Sequence, residues 1–382
     1  MRRPAVPKVL WGAAALALVA GCSSAGDPGD PAAGSASPPA ASSPAAPSSA
    51  TPSSGAPAGG GRVTVAGTLT EGLRSPWGLA ALPGGDLLVS SRDERTVTRV
   101  DGRNGERTPL GEVPGVVPGG EGGLMGLAVR EGWVYAYLTA EADNRIVRMR
   151  YGGGDGDRLG TPEPVLTGIP KGTVHNGGRI AFGPDGMLYA GTGETGETGL
   201  AQDRGSLGGK ILRMTPDGKP APGNPFPGSV VYSYGHRNVQ GLAWDGEGRL
   251  WAAEFGQNTW DELNLVEPGR NYGWPAAEGR AGKAGFVDPV AQWPTSEASP
   301  SGIAYARGAV WMAGLRGERL WRIPLSGAER SGAPEAFLDG EHGRLRTVLA
   351  DGAGRLWLMT SETDGRGTPE TGDDRILRLE VR

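Results

Sequence analysis

The side chains best able to do chemistry in this chain sit in a few short, glycine-rich stretches. The first is Thr173–Glu194, TVHNGGRIAFGPDGMLYAGTGE, which carries His175, one of three histidines. An imidazole titrates near neutral pH and suits a general base. Asn176, Gly177 and Gly178 follow it directly, so the backbone can run close to something flat or bulky. A packing role is the alternative, although such a loop needs no histidine to pack. The second stretch is Tyr234–Gly241, YGHRNVQG, with His236, Arg237, Asn238 and Gln240 in quick succession. Arg237 offers a permanently charged, planar fork of donors, fit to clamp a carboxylate or stabilise an oxyanion. A salt-bridged loop is the competing reading.

Arg316 follows Gly314 and Leu315, and Arg344 and Arg346 alternate on a strand entry, so both face one way. Gathered with Arg237 they make a cationic cluster for a polyanionic small ligand; scattered, they are surface arginines. Glu121, in GGEGGLM, is either an inward acceptor or part of a solvated turn. Asp261, Glu262 and Asn264 lie close together in Glu254–Pro275, EFGQNTWDELNLVEPGRNYGWP. Carboxylates with free carbonyls give the oxygen-rich surroundings that Ca²⁺ prefers, although the spacing is not that of an EF-hand.

These stretches need a scaffold that brings them together. One unit recurs six times: a glycine or small residue, an apolar triplet, a turn, an apolar segment with Trp or Tyr, and a small residue. It opens at Gly78, Gly126, Gly178, Gly241, Gly302 and Thr347, at intervals of 45 to 63 residues. Most units are followed by a strand rich in Arg and aliphatics, such as RTVTRV from Arg95 and RILRL from Arg375. This is the period of propeller blades. Alone, each unit has open edges and an exposed apolar face, and a ring of units buries both. The predicted fold is all-β, a six-bladed β-propeller over residues 62–382. A pair of β-sandwiches is the alternative, but unrelated sandwich strands would not repeat the unit. No sustained helical period follows Gly61.

The start of the chain reads differently. Arg2, Arg3 and Lys8 precede the apolar Val9–Ala20, and residues 1–21 have the form of a secretory signal peptide. Val19, Ala20 and Gly21 ahead of Cys22 resemble a bacterial lipobox, which makes Cys22 the expected lipidation site and the outer face of the cell membrane the expected location. A plain signal peptide is the alternative. Residues 22–61 are almost entirely Pro, Ala, Ser and Gly and predict a disordered tether. Cys22 is the only cysteine, which excludes an internal disulfide and a cysteine metal site. The net charge of −4, with both signs interspersed, argues against a nucleic-acid partner.

In this order, HNGGRIAFGPDG, GGKILR, YGHRNVQGLAW, DELNLVEPGRNYGWP and SPSGIAY resemble the soluble PQQ-dependent sugar dehydrogenases, the glucose/sorbosone dehydrogenase family, in its short bacterial aldose form. The likeness covers residues 61–382. It implies a six-bladed propeller binding pyrroloquinoline quinone (PQQ) and Ca²⁺ at one channel end, and oxidation of aldoses to lactones with electrons passed to an external acceptor. It implies that His175 is the base that takes the sugar hydroxyl proton, that Arg237 stabilises charge growing on the quinone, and that Asn238 binds the cofactor beside it. Arg316, Arg344 and Arg346 fall where the family binds the cofactor's carboxylates. The carbonyls of Gly256 and Gln257 match the cofactor-side calcium ligands, and Glu262 with the carbonyl of Tyr272 matches a second, structural calcium. The chain departs from the family pattern at Glu121, often Gln, which sets a negative charge near an anionic cofactor. It departs also at Gln257, often Pro, and at Arg316, where the family has Lys. Two other readings remain: a propeller that has lost its cofactor and serves as a binding protein, and a gluconolactonase-like, metal-dependent hydrolase. The capping loops are short, which predicts an open site and broad aldose use.

Overall fold

The structure, a computed structural model, describes residues 61–152 and 158–382. The expected signal peptide, Cys22 and the tether as far as residue 60 lie outside the described residues. Among those described, the strands form six antiparallel sheets, the six blades of a β-propeller. The one helical element among them is a 3₁₀ turn, Thr198–Ala201.

Blade three shows how the recurring unit folds. Ile180–Phe182 is the inner strand, Leu188–Gly191 the second, Lys210–Met214 the third and Val231–Tyr234 the outer one. The inner strands converge on the channel, and the recurrent glycine answers to that crowding. A Cβ on Gly126 would lie 2.2 Å from the Gly178 carbonyl of the next blade, and one on Gly241 would lie 2.4 Å from the Ser301 carbonyl. Blade six has Thr347 at this place, and its Oγ1 donates to the Trp77 carbonyl at 2.9 Å.

The arginines of the third strands also have a structural use. They lie opposite second-strand residues that are mostly aromatic: Tyr135 with Arg148, Tyr189 with Arg213, Trp311 with Arg322 and Trp357 with Arg378. The Arg378 guanidinium lies 5.0 Å from the Trp357 ring, a cation–π contact.

The core is divided among the seams between blades. Ala80, Leu88 and Val97 of blade one meet Leu127, Val134 and Ala136 of blade two. Corresponding clusters fill the remaining seams, including the one where Trp357 and Met359 of blade six meet Leu79 and Val89 of blade one. The ring is closed by the earliest strand. Val63–Thr70 pairs with Ile376–Val381 and completes blade six beside Arg355–Thr360 and Leu345–Ala350.

Candidate active site

In an antiparallel blade the start of the inner strand and the end of the second strand lie at the same rim. His175, Arg237 and Asn238, Glu121, and Arg344 all precede or open inner strands. Arg92, Glu194, Phe255, Arg316 and Asp364 all follow second strands. The topology thus gathers loops from every blade at one mouth of the channel.

His175 is held from three sides. Its φ is +52°, a left-handed conformation costly for a residue with a Cβ. Its backbone N–H donates to Glu121 Oε2 at 2.8 Å. Its ring Nδ1 lies 2.5 Å from Oε1 of the buried Glu194, and Arg237 Nη2 donates to its Nε2 at 3.0 Å. A carboxylate can only accept and a guanidinium can only donate, so both contacts fix one tautomer, with the proton on Nδ1 and the lone pair on Nε2. Glu194 closes the same stretch as His175, but nothing in its spacing announced the contact.

Beside this pair lies a cavity of about 530 Å³ lined by Arg92, Arg316, Arg344, Arg346 and Arg366 against Glu121 and Asp364. Five cations face two anions in this lining; Arg92 is itself paired with Asp93, at 2.7 and 3.0 Å, and the wall stays cationic. Of the predicted arginines, Arg316, Arg344 and Arg346 line the cavity, while Arg237 donates to the carbonyl of Phe255 in its wall. Arg316 is exposed at the rim, whereas Arg344 and Arg346 are buried and both donate to Asp364 Oδ2, at 3.0 and 2.8 Å. Burial alone would raise the Asp364 carboxyl, but Arg346 and Arg344 outweigh it and hold it down at about 2. Burial, with Arg92 and Arg344 alongside, draws Arg346 down to about 10.

The Trp77 ring also lines the cavity and lies against both Arg346 and Arg179. Glu121 lines the cavity too, with both oxygens engaged: one on the His175 backbone, the other on Arg366 Nη2 at 2.7 Å. The negative charge that set Glu121 apart from the family is therefore matched by Arg366, which sequence reasoning did not single out. Arg92 and Asp364 were also missed.

Around the His175–Arg237 pair, the buried donors Arg237 Nε, Asn238 Nδ2 and Trp274 Nε1 have no partner, and neither has the acceptor Glu194 Oε2. Asn238 is next to Arg237 in the chain, and the Trp274 ring lies 5.5 Å from the Arg237 guanidinium. Orphaned donors next to a cationic cavity fit an anionic, oxygen-rich ligand.

Residues expected to act together separate here. His236 turns into the core, between Ser233 and Glu254 at 2.8 Å each, and stacks on Tyr272. Asp261, Glu262 and Asn264 do not form one cluster, because successive strand residues face opposite ways. Asp261 accepts from the N–H groups of Gly256 and Ser299, and burial pushes its carboxyl up to about 6. Glu262 and Asn264 face the buried Glu254; Asn264 Nδ2 donates to both carboxylates and leaves its own Oδ1 unpartnered. Burial and the Glu254 charge raise Glu262 to about 8. Two buried carboxylates and an orphaned amide oxygen are donors suited to a hard cation. Next to the cavity-lining Phe255, the carbonyls of Gly256 and Gln257 accept none of the described hydrogen bonds, so they too are free to ligate one. Among the described residues no three His, Cys, Asp or Glu side chains gather in metal-binding geometry.

The sequence signature of glucose/sorbosone dehydrogenases matches residues 73–377. The chain belongs to this family. Among solved glucose/sorbosone dehydrogenase relatives, the PQQ-bound form of aldose sugar dehydrogenase from Streptomyces coelicolor is 68% identical and covers 86% of this chain and 100% of its own, with a TM-score of 0.84. An aldose sugar dehydrogenase of Escherichia coli is 27% identical over 78% of this chain and 90% of its own length. Quinoprotein glucose dehydrogenase B of Acinetobacter calcoaceticus is 30% identical over 57% of this chain and 54% of its own.

Proposed function

We propose that this glucose/sorbosone dehydrogenase family member oxidises aldose sugars to lactones with PQQ as the oxidant, and passes the electrons to an external acceptor. The observation that carries the reading is the contact of His175 with Arg237 at 3.0 Å beside a cavity lined by five arginines. An arginine-rich wall suits the three carboxylates of PQQ. Arg316, Arg344 and Arg346 hold those carboxylates, and Asn238 Nδ2 and Arg237 supply the unpartnered donors.

Bound there, PQQ supplies the acceptor for the hydride of the anomeric carbon, with Ca²⁺ beside it as Lewis acid. The rest falls to the protein. His175 Nε2 takes the proton of the sugar hydroxyl, and Glu194 holds the ring and stabilises the imidazolium that forms. The carbonyls of Gly256 and Gln257 hold the cofactor-side Ca²⁺; Glu262, Asn264 Oδ1 and the Tyr272 carbonyl hold a structural one.

The same reading makes residues 1–21 a cleaved signal peptide, Cys22 a lipid anchor on the outer face of the cell membrane, and residues 22–61 a tether to the propeller of residues 62–382. Its support is the composition of those segments. The test is to add PQQ and Ca²⁺ to the purified protein and follow reduced-quinone absorbance on adding aldoses, with His175→Ala as control. The expected result is a change in wild type alone. No change in wild type would remove the enzyme reading, and an equal change in the control would remove the role of His175. A panel of sugars tests the expected breadth, and strict selectivity for one would count against it.

A further inference from the structure

Glu278 belongs to no motif, yet one of its oxygens gathers a run of backbone donors. Oε1 accepts from the N–H groups of Gln257 at 2.7 Å, Asn258 at 3.1 Å, Thr259 at 3.0 Å and Trp260 at 3.2 Å. The Gly256 N–H goes instead to Asp261 Oδ1, at 2.9 Å. Every backbone N–H from Gly256 to Trp260 is thus anchored on a carboxylate.

The planar trans peptide turns this into a statement about carbonyls. The N–H of one residue and the C=O of the residue before it share one rigid plane and point in opposite directions. With the Gln257 and Asn258 N–H groups drawn to Glu278, the carbonyls of Gly256 and Gln257 are turned away from it. These are the two oxygens that the proposed function gives to the cofactor-side cation. An anion behind the positive ends of two peptide dipoles also favours a cation at their negative ends.

We propose that Glu278 is the positioning residue of the cation site: by holding the N–H groups of residues 257–260 it presents the Gly256 and Gln257 carbonyls as a preformed pair of ligands. This rests on the reading that those carbonyls hold Ca²⁺. Positioning from outside the ligand set is how such second partners act, and their loss commonly weakens metal affinity by roughly 10 to 100-fold.

Two measurements on the purified protein test it. Hydrogen exchange without added Ca²⁺ reads the loop directly: Glu278→Ala speeds exchange of the amides of residues 257–260 and leaves the rest of blade four unchanged. Calorimetric Ca²⁺ titration, with the site located by the anomalous signal of Tb³⁺ in crystals, reads the ligands. Glu278→Ala weakens that site by at least about tenfold, and Glu278→Gln, which keeps an acceptor oxygen but loses the charge, falls between. If Glu278→Ala does not fold, Glu278→Gln alone carries both readouts. Exchange and affinity equal to wild type in the variants would overturn the role of Glu278 and leave the calcium reading standing. A wild-type protein that takes no ion at Gly256 and Gln257 would overturn both.

Discussion

Nη2 of Arg237 lies 3.0 Å from Nε2 of His175, so the lone pair to which the proposed function gives the sugar's proton is capped by a guanidinium. A guanidinium has no acceptor of its own and only donates, so substrate hydroxyl and Arg237 compete for one nitrogen. If His175 is the base, productive binding must draw Arg237 off Nε2, and a negative oxygen of the ligand is the partner its charge favours. Arg237→Ala frees Nε2 but removes the charge stabilisation, and kcat falls by roughly 10² to 10³ at saturating PQQ and Ca²⁺. Arg237→Lys keeps the charge without the fork and recovers only part. Steady-state kinetics with a single aldose decides this, and a variant faster than wild type would show that the cap is merely inhibitory.

Glu194 sets the ring for that transfer. Glu194→Gln keeps the size of the side chain, but its amide can donate to Nδ1 and so favour the tautomer with the proton on Nε2. The expected loss is roughly 10² to 10⁴ in kcat, with PQQ affinity little changed, as when a triad histidine is left in the wrong tautomer. Stopped-flow reduction of the bound quinone separates this from a binding defect. Equal loss of PQQ affinity would mean a structural role.

Asp364 balances Arg344 and Arg346. Asp364→Asn leaves two buried guanidiniums without their shared anion, at a cost of about 3 to 5 kcal/mol to the protein prepared without PQQ. Added PQQ narrows the difference, because its carboxylates supply the missing charge. Denaturant unfolding with and without PQQ measures both halves.

Stability should depend on pH through Glu262. Its folded value is raised to about 8, from an ordinary value of 4.5. Between those two pH values the folded chain keeps a proton that the unfolded chain has lost. Without a cation, stability is therefore fully present below about pH 4.5 and drains away as pH climbs through about 8. Asp261, raised to about 6, acts in the same sense over the lower part of that window. If Glu262 holds Ca²⁺ as proposed, the ion binds the ionised carboxylate, so its affinity rises over the same range and the slope flattens. Melting temperatures from pH 5 to 8, in chelator and in Ca²⁺, check the sign. Glu262→Gln should remove most of the slope.

What the sequence made legible was whatever a local pattern forces. The blade glycines are visible because a Cβ cannot fit where inner strands crowd the channel, and His175 and Arg237 because each stands in a glycine-rich entry to such a strand. Glu194, Asp364, Arg366 and Glu278 were not visible. They sit in irregular loops after second strands or beyond the third, where no period marks which side chain turns inward. Their partners lie 19 residues away for Glu194 and 245 for Arg366. Asp261 was grouped with Glu262 and Asn264 by proximity in the chain, and strand alternation parted them. The reach of Val63–Thr70 to the other end of the chain leaves no local trace at all.

That reach has a kinetic corollary. A torus fastened by the pairing of Val63–Thr70 with Ile376–Val381 cannot lock until both strands have been made, and loop-closure entropy on the scale of the whole domain must be met before that ladder forms. The waiting blade six would show an unpaired flank on Ile376–Val381, an adhesive surface for other nascent chains. Pulse-labelled refolding should find the amides of Val63–Thr70 among the last to gain protection, and a chain cut before Thr70 should self-associate rather than simply lose a strand.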